Sequence, residues 1–179
     1  MEKPTIRTQK FILRPWQHED ADALVKHADN PGIARNLRDG FPSPYTLADA
    51  RAWLRSVARD PSGAVLAIEV EGEAAGGIGL FPQKDVYRMN GEIGYWLSET
   101  HWGKGIMTGA VGAMVDFAFT RTELLRLFAG VFSNNLPSMR VLEKNGFTRE
   151  SVHRKAVIKG GERIDEHLFA LLREDWNPR

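Results

Sequence analysis

The chain has 179 residues, of which 42% are hydrophobic, 9% aromatic and 26% charged, ordinary globular usage that excludes disorder, collagen-like repeats and coiled coil. Lys and Arg total 24 against 23 acids, a net charge of +1; no general polyanion field results, and no direct nucleic-acid binding is expected. With no Cys and no His-x-x-x-His or His-Glu-x-x-His spacing, thiolate metal sites, disulfides and Cys nucleophiles are excluded and no metal is expected.

Met1 to Gln9 has no signal-peptide core, and no apolar run reaches ~18 residues. The expectation is a cytoplasmic protein without membrane contact. No repeat, low-complexity tract or polar linker interrupts the chain, which predicts one domain over residues 1–179. Phe11-Ile12-Leu13 before Pro15 reads as a first strand. Ala21, Leu24, Val25 and Ala28 have helical spacing, stopped by Asn30-Pro31. Phe41-Pro42-Ser43-Pro44 is a loop stiffened by two prolines. Thr46 N-caps a second helix with Asp49 at its third position; the apolar stripe is Leu47, Ala50, Trp53, Leu54 and Val57, and Pro61-Ser62-Gly63 ends it.

From Ala64 the pattern turns to β. Val65–Val70 and Ala74–Phe81 flank the turn Glu71-Gly72-Glu73, and Gly91–Leu97 is a further strand. Ile106, Ala110, Ala113, Met114 and Phe117 form a helical stripe. Leu124–Phe132 reads as a strand buried on both faces, and Pro137–Asn145 as a helix capped by Gly146. Two long strands, Phe147–Ile158 and Arg163–Leu172, close the chain around Lys159-Gly160-Gly161-Glu162. About seven strands, with helices alternating among them in the middle, predict an α+β fold.

The segment Gly91-Glu92-Ile93-Gly94-Tyr95-Trp96-Leu97, followed by Trp102-Gly103-Lys104-Gly105-Ile106-Met107-Thr108, is the most informative. A strand enters a two-glycine turn and a helix begins at once, so several free N–H groups converge where the helix dipole favours an anion. A tight turn with no ligand has the same signature. A P-loop is excluded, since Gly105 follows Lys104 and position 98 is Ser. A dinucleotide fingerprint is excluded as well: Thr108 stands where its third glycine belongs, and the next strand ends Val131-Phe132-Ser133 without an acid.

Trp102 to Met107 resembles the acetyl-CoA loop, Gln/Arg-x-x-Gly-x-Gly/Ala, of the GNAT acetyltransferase superfamily. Only the central Gly105 matches strictly. Tyr-Trp-Leu followed by Trp-Gly-Lys-Gly-Ile is similar to the branch typified by the RimJ and RimL ribosomal-protein N-acetyltransferases. Leu13-Arg14-Pro15, Asn30-Pro31 and Phe41 to Thr46 resemble that branch's N-terminal half. Asn135-Leu136-Pro137-Ser138 with Val141 to Phe147 resembles its second cofactor motif, and Asp165 with Leu168–Leu172 its last strand. The matches cover nearly the whole chain in order.

The resemblance implies the GNAT fold, a mixed, largely antiparallel sheet between two helical layers, with acetyl-CoA as co-substrate. Tyr95, Trp96, Leu97 and Ser98 would hold the pantetheine arm by main-chain pairing. The N–H groups of Gly103, Lys104, Gly105, Ile106, Met107 and Thr108 would cradle the pyrophosphate; the Lys104 side chain either adds charge there or is solvated. Asn135 would bond the cofactor arm, or N-cap the following helix, or both. Ser138 stands where the branch carries a hydroxyl near the thioester sulfur; its other reading is a helix-start Ser bonded to backbone.

Acyl transfer to an amine needs a base, because an ammonium cannot attack. Glu92 is the first candidate, since alternation places it with Gly94 and Trp96 on one face; its other reading is an exposed, paired strand Glu. Asp165 is a weaker candidate whose other reading is to order the last strands, and His101 and His153 have no support as bases. Phe41, Tyr45 and Trp102 are expected to line the acceptor cleft, although buried aromatics usually serve the core. Arg14, Arg35 and Arg38 form a basic rim or solvated surface. The expected acceptor is the N-terminal α-amine of a protein or peptide; the alternatives are a small-molecule amine and a non-catalytic acyl-CoA sensor. The resemblance leaves a homodimer open.

Overall fold

The computed structural model describes residues 3–60 and 63–178; the expected helix stop at Pro61-Ser62 lies outside them. Eight strands, β1 (Ile6–Arg7), β2 (Ile12–Pro15), β3 (Ala64–Val70), β4 (Glu73–Pro82), β5 (Asn90–Leu97), β6 (Arg126–Phe132), β7 (Thr148–Lys159) and β8 (Glu162–Leu172), form one sheet ordered β1-β2-β3-β4-β5-β6-β8-β7. The strand beyond the seven expected is the two-residue β1, too short for periodicity to reveal. Among the described residues, only β5 and β6 pair in parallel, which requires a crossover.

That crossover contains α4 (Ile106–Arg121); the other helices are α1 (Ala21–Ala28), α2 (Pro31–Ala34), α3 (Leu47–Arg59) and α5 (Leu136–Glu143). Thr46 caps α3 as expected, its hydroxyl accepting from the Asp49 N–H at 3.3 Å while the Asp49 carboxylate accepts from the Thr46 N–H at 2.9 Å. Asn30-Pro31 ends α1 and also starts α2, because the Asn30 side chain accepts from the Gly32 N–H at 2.7 Å. The hairpins turn at Glu71-Gly72 and Gly160-Gly161, each with both residues at positive φ, the conformation that follows the strand twist.

On one face of the sheet, Val111, Met114 and Phe119 of α4 pack against Leu66, Ile78, Leu80, Leu127 and Phe169. On the other, Leu24 of α1 joins Tyr45 and Ala50 and Leu54 of α3, completing the expected three layers. Each aliphatic side chain buried here contributes about 1.5–3 kcal/mol. β6 corrects an expectation. Leu127, Ala129 and Val131 are buried, but Arg126 and Phe128 are only partly covered and Gly130 is exposed. Its second face is partly exposed and is not covered by a helix.

Candidate active site

The parallel pairing of β5 and β6 stops early. It joins Asn90 to Arg126, Gly91 to Leu127 and Glu92 to Phe128, whereas β5 runs on to Leu97 and β6 to Phe132. Beyond Glu92 the two strands part. Ile93 to Leu97 keep β4 as their ladder partner on one side and have main-chain edge to offer on the other, the position of an added extended ligand.

The segment leaving β5 leads directly to the phosphate candidates. A 3-10 turn over Glu99–His101 precedes Trp102, whose indole N–H donates to the Leu97 carbonyl at 2.8 Å. Gly103 and Gly105 then take φ of 74° and 78°, and Gly105 is the N-cap of α4 with no side-chain bond to its first N–H groups. A Cβ at Gly103 would meet nothing within 4 Å, and one at Gly105 only Lys10 Nζ at 4.0 Å. The loop therefore leaves open space in front of free amides at a helix start, which fits a pyrophosphate. Asn145, which the sequence reading passed over as a helix end, donates to the Thr108 carbonyl at 3.1 Å and the Val141 carbonyl at 2.8 Å. It thereby fixes the first turn of α4 to α5. Ile106 is buried and Met107 packs on the core.

Alternation sends the β5 side chains to opposite faces of the sheet. Tyr95 points to the α4–α5 side, where its hydroxyl lies 2.8 Å from Ser138 Oγ and donates to the Ser138 carbonyl at 3.3 Å. Burial pushes the Tyr95 phenol well above its ordinary range, against the opposing effect of the Ser138 hydrogen bond, so it stays protonated. Asn135 is the N-cap of α5, its Oδ1 accepting from the Ser138 N–H at 3.3 Å. The Ser138 hydroxyl meets Tyr95 and not the backbone, and this partner was not anticipated.

Glu92, Gly94 and Trp96 share the other face, as expected. There Glu92 lies opposite Phe81, and Gly94 opposite Gly79. The Phe81 ring lies across both glycines: a Cβ on Gly79 would sit 2.5 Å from it and one on Gly94 3.6 Å. Trp96 meets Phe41 edge-on at 5.8 Å, and Phe41 meets Tyr45 at 5.1 Å. The result is an aromatic surface that carries the Glu92 carboxylate, whose Oε1 accepts from Arg38 Nη2 at 2.5 Å. The tip of the β7–β8 hairpin reaches the same rim, where Lys159 pairs with Asp39 at 2.7 Å. Glu92 and Ser138 thus approach the parting of β5 and β6 from opposite faces of the sheet.

Other candidates are placed differently from the sequence expectation. Tyr45 is buried behind Phe41, where desolvation and the Asp49 charge raise its phenol to about 12; it backs the cleft wall and does not form its surface. Trp102 stands apart from that aromatic group, at the mouth of the glycine loop. Ser98 is buried, its hydroxyl 3.0 Å from both His27 Nδ1 and Thr100 Oγ1 and its N–H donating to Ala75, so its polar groups face inward. Arg14 is no rim residue: Asp20 holds it through two bonds of 2.8 Å and Glu69 through one of 2.5 Å. Asp165 accepts from the Lys155 N–H at 2.7 Å, where Lys155 takes a positive φ, and so orders the β7–β8 pair.

The early parting of the parallel strands thus brings an open main-chain edge and a glycine loop at a helix start together at one end of the sheet. Residues 10–148 match the family model for the acetyltransferase (GNAT) domain, and the chain belongs to that family of N-acetyltransferases. It is 29% identical over 178 residues to "Uncharacterized N-acetyltransferase p20" of Bacillus licheniformis, covering 96% of this chain and 98% of that one. It is 31% identical over 96 residues to the ribosomal-protein-serine acetyltransferase of Escherichia coli, 54% of each chain. Among solved structures, Mycobacterium smegmatis RimJ in complex with CoA-disulfide superposes with a TM-score of 0.81 at 26% identity, covering 92% of this chain and 82% of that one. Among the described residues, no helix is long and apolar enough to cross a membrane.

Proposed function

We propose that this acetyltransferase moves the acetyl group of acetyl-CoA to the N-terminal α-amine of a protein or peptide. The supporting observation is the exposed surface of Phe81 and Gly94, with the Glu92 carboxylate beside it at the point where β5 and β6 part; an extended chain end can lie along such a surface. The similarity to a ribosomal-protein acetyltransferase points the same way. Bound acetyl-CoA supplies an activated acyl carbon. The β5 edge at Tyr95 and Trp96, beside the Leu97 carbonyl that Trp102 already occupies, pairs with its extended arm, and the amides of Gly103 to Thr108 hold its pyrophosphate. The Asn135 side chain fixes the turn beside that arm.

Glu92 takes the proton from the acceptor ammonium after displacing Arg38, which is 76% exposed and hence weakly held. Ser138 gives a proton to the departing sulfur, and the neutral Tyr95 hydroxyl, 2.8 Å from Ser138 Oγ, turns its one proton from the Ser138 carbonyl to that oxygen as the serine proton leaves. A thiol has an ordinary pKa near ~8.5, so its thiolate is a tolerable leaving group and needs only modest help. Ser138→Ala is therefore expected to lower kcat roughly tenfold, with acetyl-CoA affinity within about twofold of wild type. Steady-state kinetics with calorimetric titration checks both. An unchanged kcat would reduce Ser138 to a part of the α5 terminus.

Acetyl-CoA is expected to raise the melting temperature, because a ligand of the native state adds about 2.7 kcal/mol at 100 times its dissociation constant. NAD and ATP are not. Equal shifts with ATP would count against the cradle. Labelled acetyl-CoA offered with peptides and with small amines then identifies the acceptor: label on peptide N-termini supports the proposal, and label confined to small amines or to neither overturns it.

A further inference from the structure

The bend between β1 and β2 is docked onto the start of α4 at two points. The Thr8 hydroxyl shapes the bend by donating to the Phe11 carbonyl at 2.8 Å and accepting from the N–H groups of Phe11 and Lys10 at 3.0 and 3.2 Å. The Phe11 ring, 6% exposed, lies on Gly109: a Cβ there would stand 2.9 Å from it. Glycine inside a helix costs roughly 1 kcal/mol relative to alanine, and this close approach is what Gly109 permits. The contact sets the adjacent Lys10 beside the glycine loop, 94 residues away in sequence, where its ammonium donates to the Lys104 carbonyl at 3.2 Å. Among the described residues outside the loop and helix themselves, the ammonium nitrogen is the atom that stands 4.0 Å from the position a Gly105 Cβ would take.

A lysine ammonium has three donors, and one satisfies the Lys104 carbonyl. We infer that Lys10 is a phosphate-binding residue of this enzyme: it completes the cradle of Gly103–Thr108 amides by directing its remaining donors, and a full positive charge, at the pyrophosphate of acetyl-CoA. This inference rests on the cofactor reading above. Lys104 lies within the loop, but it is the Lys10 ammonium that reaches the N-cap glycine. Its role is separate from acyl transfer, which falls to the Glu92 and Ser138 groups.

Calorimetric titration of Lys10→Met and Lys10→Arg tests it, with three probes: CoA, 3′-dephospho-CoA and pantetheine. Lys10→Met is expected to bind CoA and dephospho-CoA about five- to tenfold more weakly, with a shallower salt dependence, and to bind pantetheine as wild type does. Lys10→Arg is expected to recover most of the loss. Weakening of CoA but not dephospho-CoA would move Lys10 to the 3′-phosphate and overturn the assignment. Equal weakening of pantetheine would make Lys10 merely a brace for the loop, and wild-type CoA affinity in Lys10→Met would leave it without a role. A wild-type protein that binds no CoA would refute the cofactor reading itself, an outcome distinct from the other three.

Discussion

Gly105→Val is expected to weaken acetyl-CoA binding by 100-fold or more, a loss of at least about 2.7 kcal/mol, in a protein that still folds. Gly105 has φ 78° and ψ 2°, where a side chain is strained by roughly 1–3 kcal/mol and a β-branched one fits worst. The space in front of it holds only the end of Lys10, so valine meets no packed core and the strain falls on the loop alone. The loop either keeps its shape, with the valine methyls standing where the pyrophosphate belongs, or relaxes and turns its amides away; both remove the cradle. Lys104→Ala is expected to cost at most about fivefold, because an exposed lysine contributes about 1 kcal/mol or less. Titration of both variants after circular dichroism confirms their fold separates backbone from side-chain binding. Wild-type affinity in a folded Gly105→Val protein would remove the cradle from the mechanism.

The sequence was legible where chemistry is local. Thr46 N-caps α3 as predicted, and the Gly-Gly turn joins the last two strands where expected, because the determining residues are adjacent in the chain. Alternation alone placed Glu92, Gly94 and Trp96 on one face. What escaped are contacts that no spacing encodes. Tyr95 and Ser138 are 43 residues apart and meet only because α5 packs beside β5. Arg38 reaches Glu92 across 54 residues, and Lys10 reaches the glycine loop across 94.

Burial was the second blind spot. Arg14, Arg35 and Arg38 look equivalent in sequence, yet Arg14 is locked between Asp20 and Glu69 while Arg38 reaches over the cleft. Tyr45 and Phe41 share a loop, but only Phe41 fronts the cleft. The expectation for β6 failed for a related reason: an apolar run was equated with a strand covered on both sides, whereas Phe128 and Gly130 border an opening. An opening of this kind follows from where two strands stop pairing, and that is a property of the sheet as a whole.

Glu92→Gln is expected to lower kcat/KM roughly 100-fold near neutral pH, the lower end of what a positioned base contributes. The amide keeps the size of the side chain and can still contact Arg38, so the fold and the aromatic surface around Phe81 are preserved. It cannot accept the proton. An acceptor α-amine has an ordinary pKa near ~7.7–8.0, so below that range most acceptor arrives as ammonium and the variant depends on the small free-amine fraction. The deficit should therefore grow as pH falls and shrink above about pH 8, where the free amine predominates. Arg38→Ala supplies the control. It removes the group that occupies Glu92 before substrate arrives, and its exposure limits the effect to about fivefold or less, with the shape of the pH profile retained. A pH–rate profile unchanged in height and shape in Glu92→Gln would exclude Glu92 as the base. A loss of equal size in Arg38→Ala would instead assign the carboxylate to holding the 38–41 loop over the cleft.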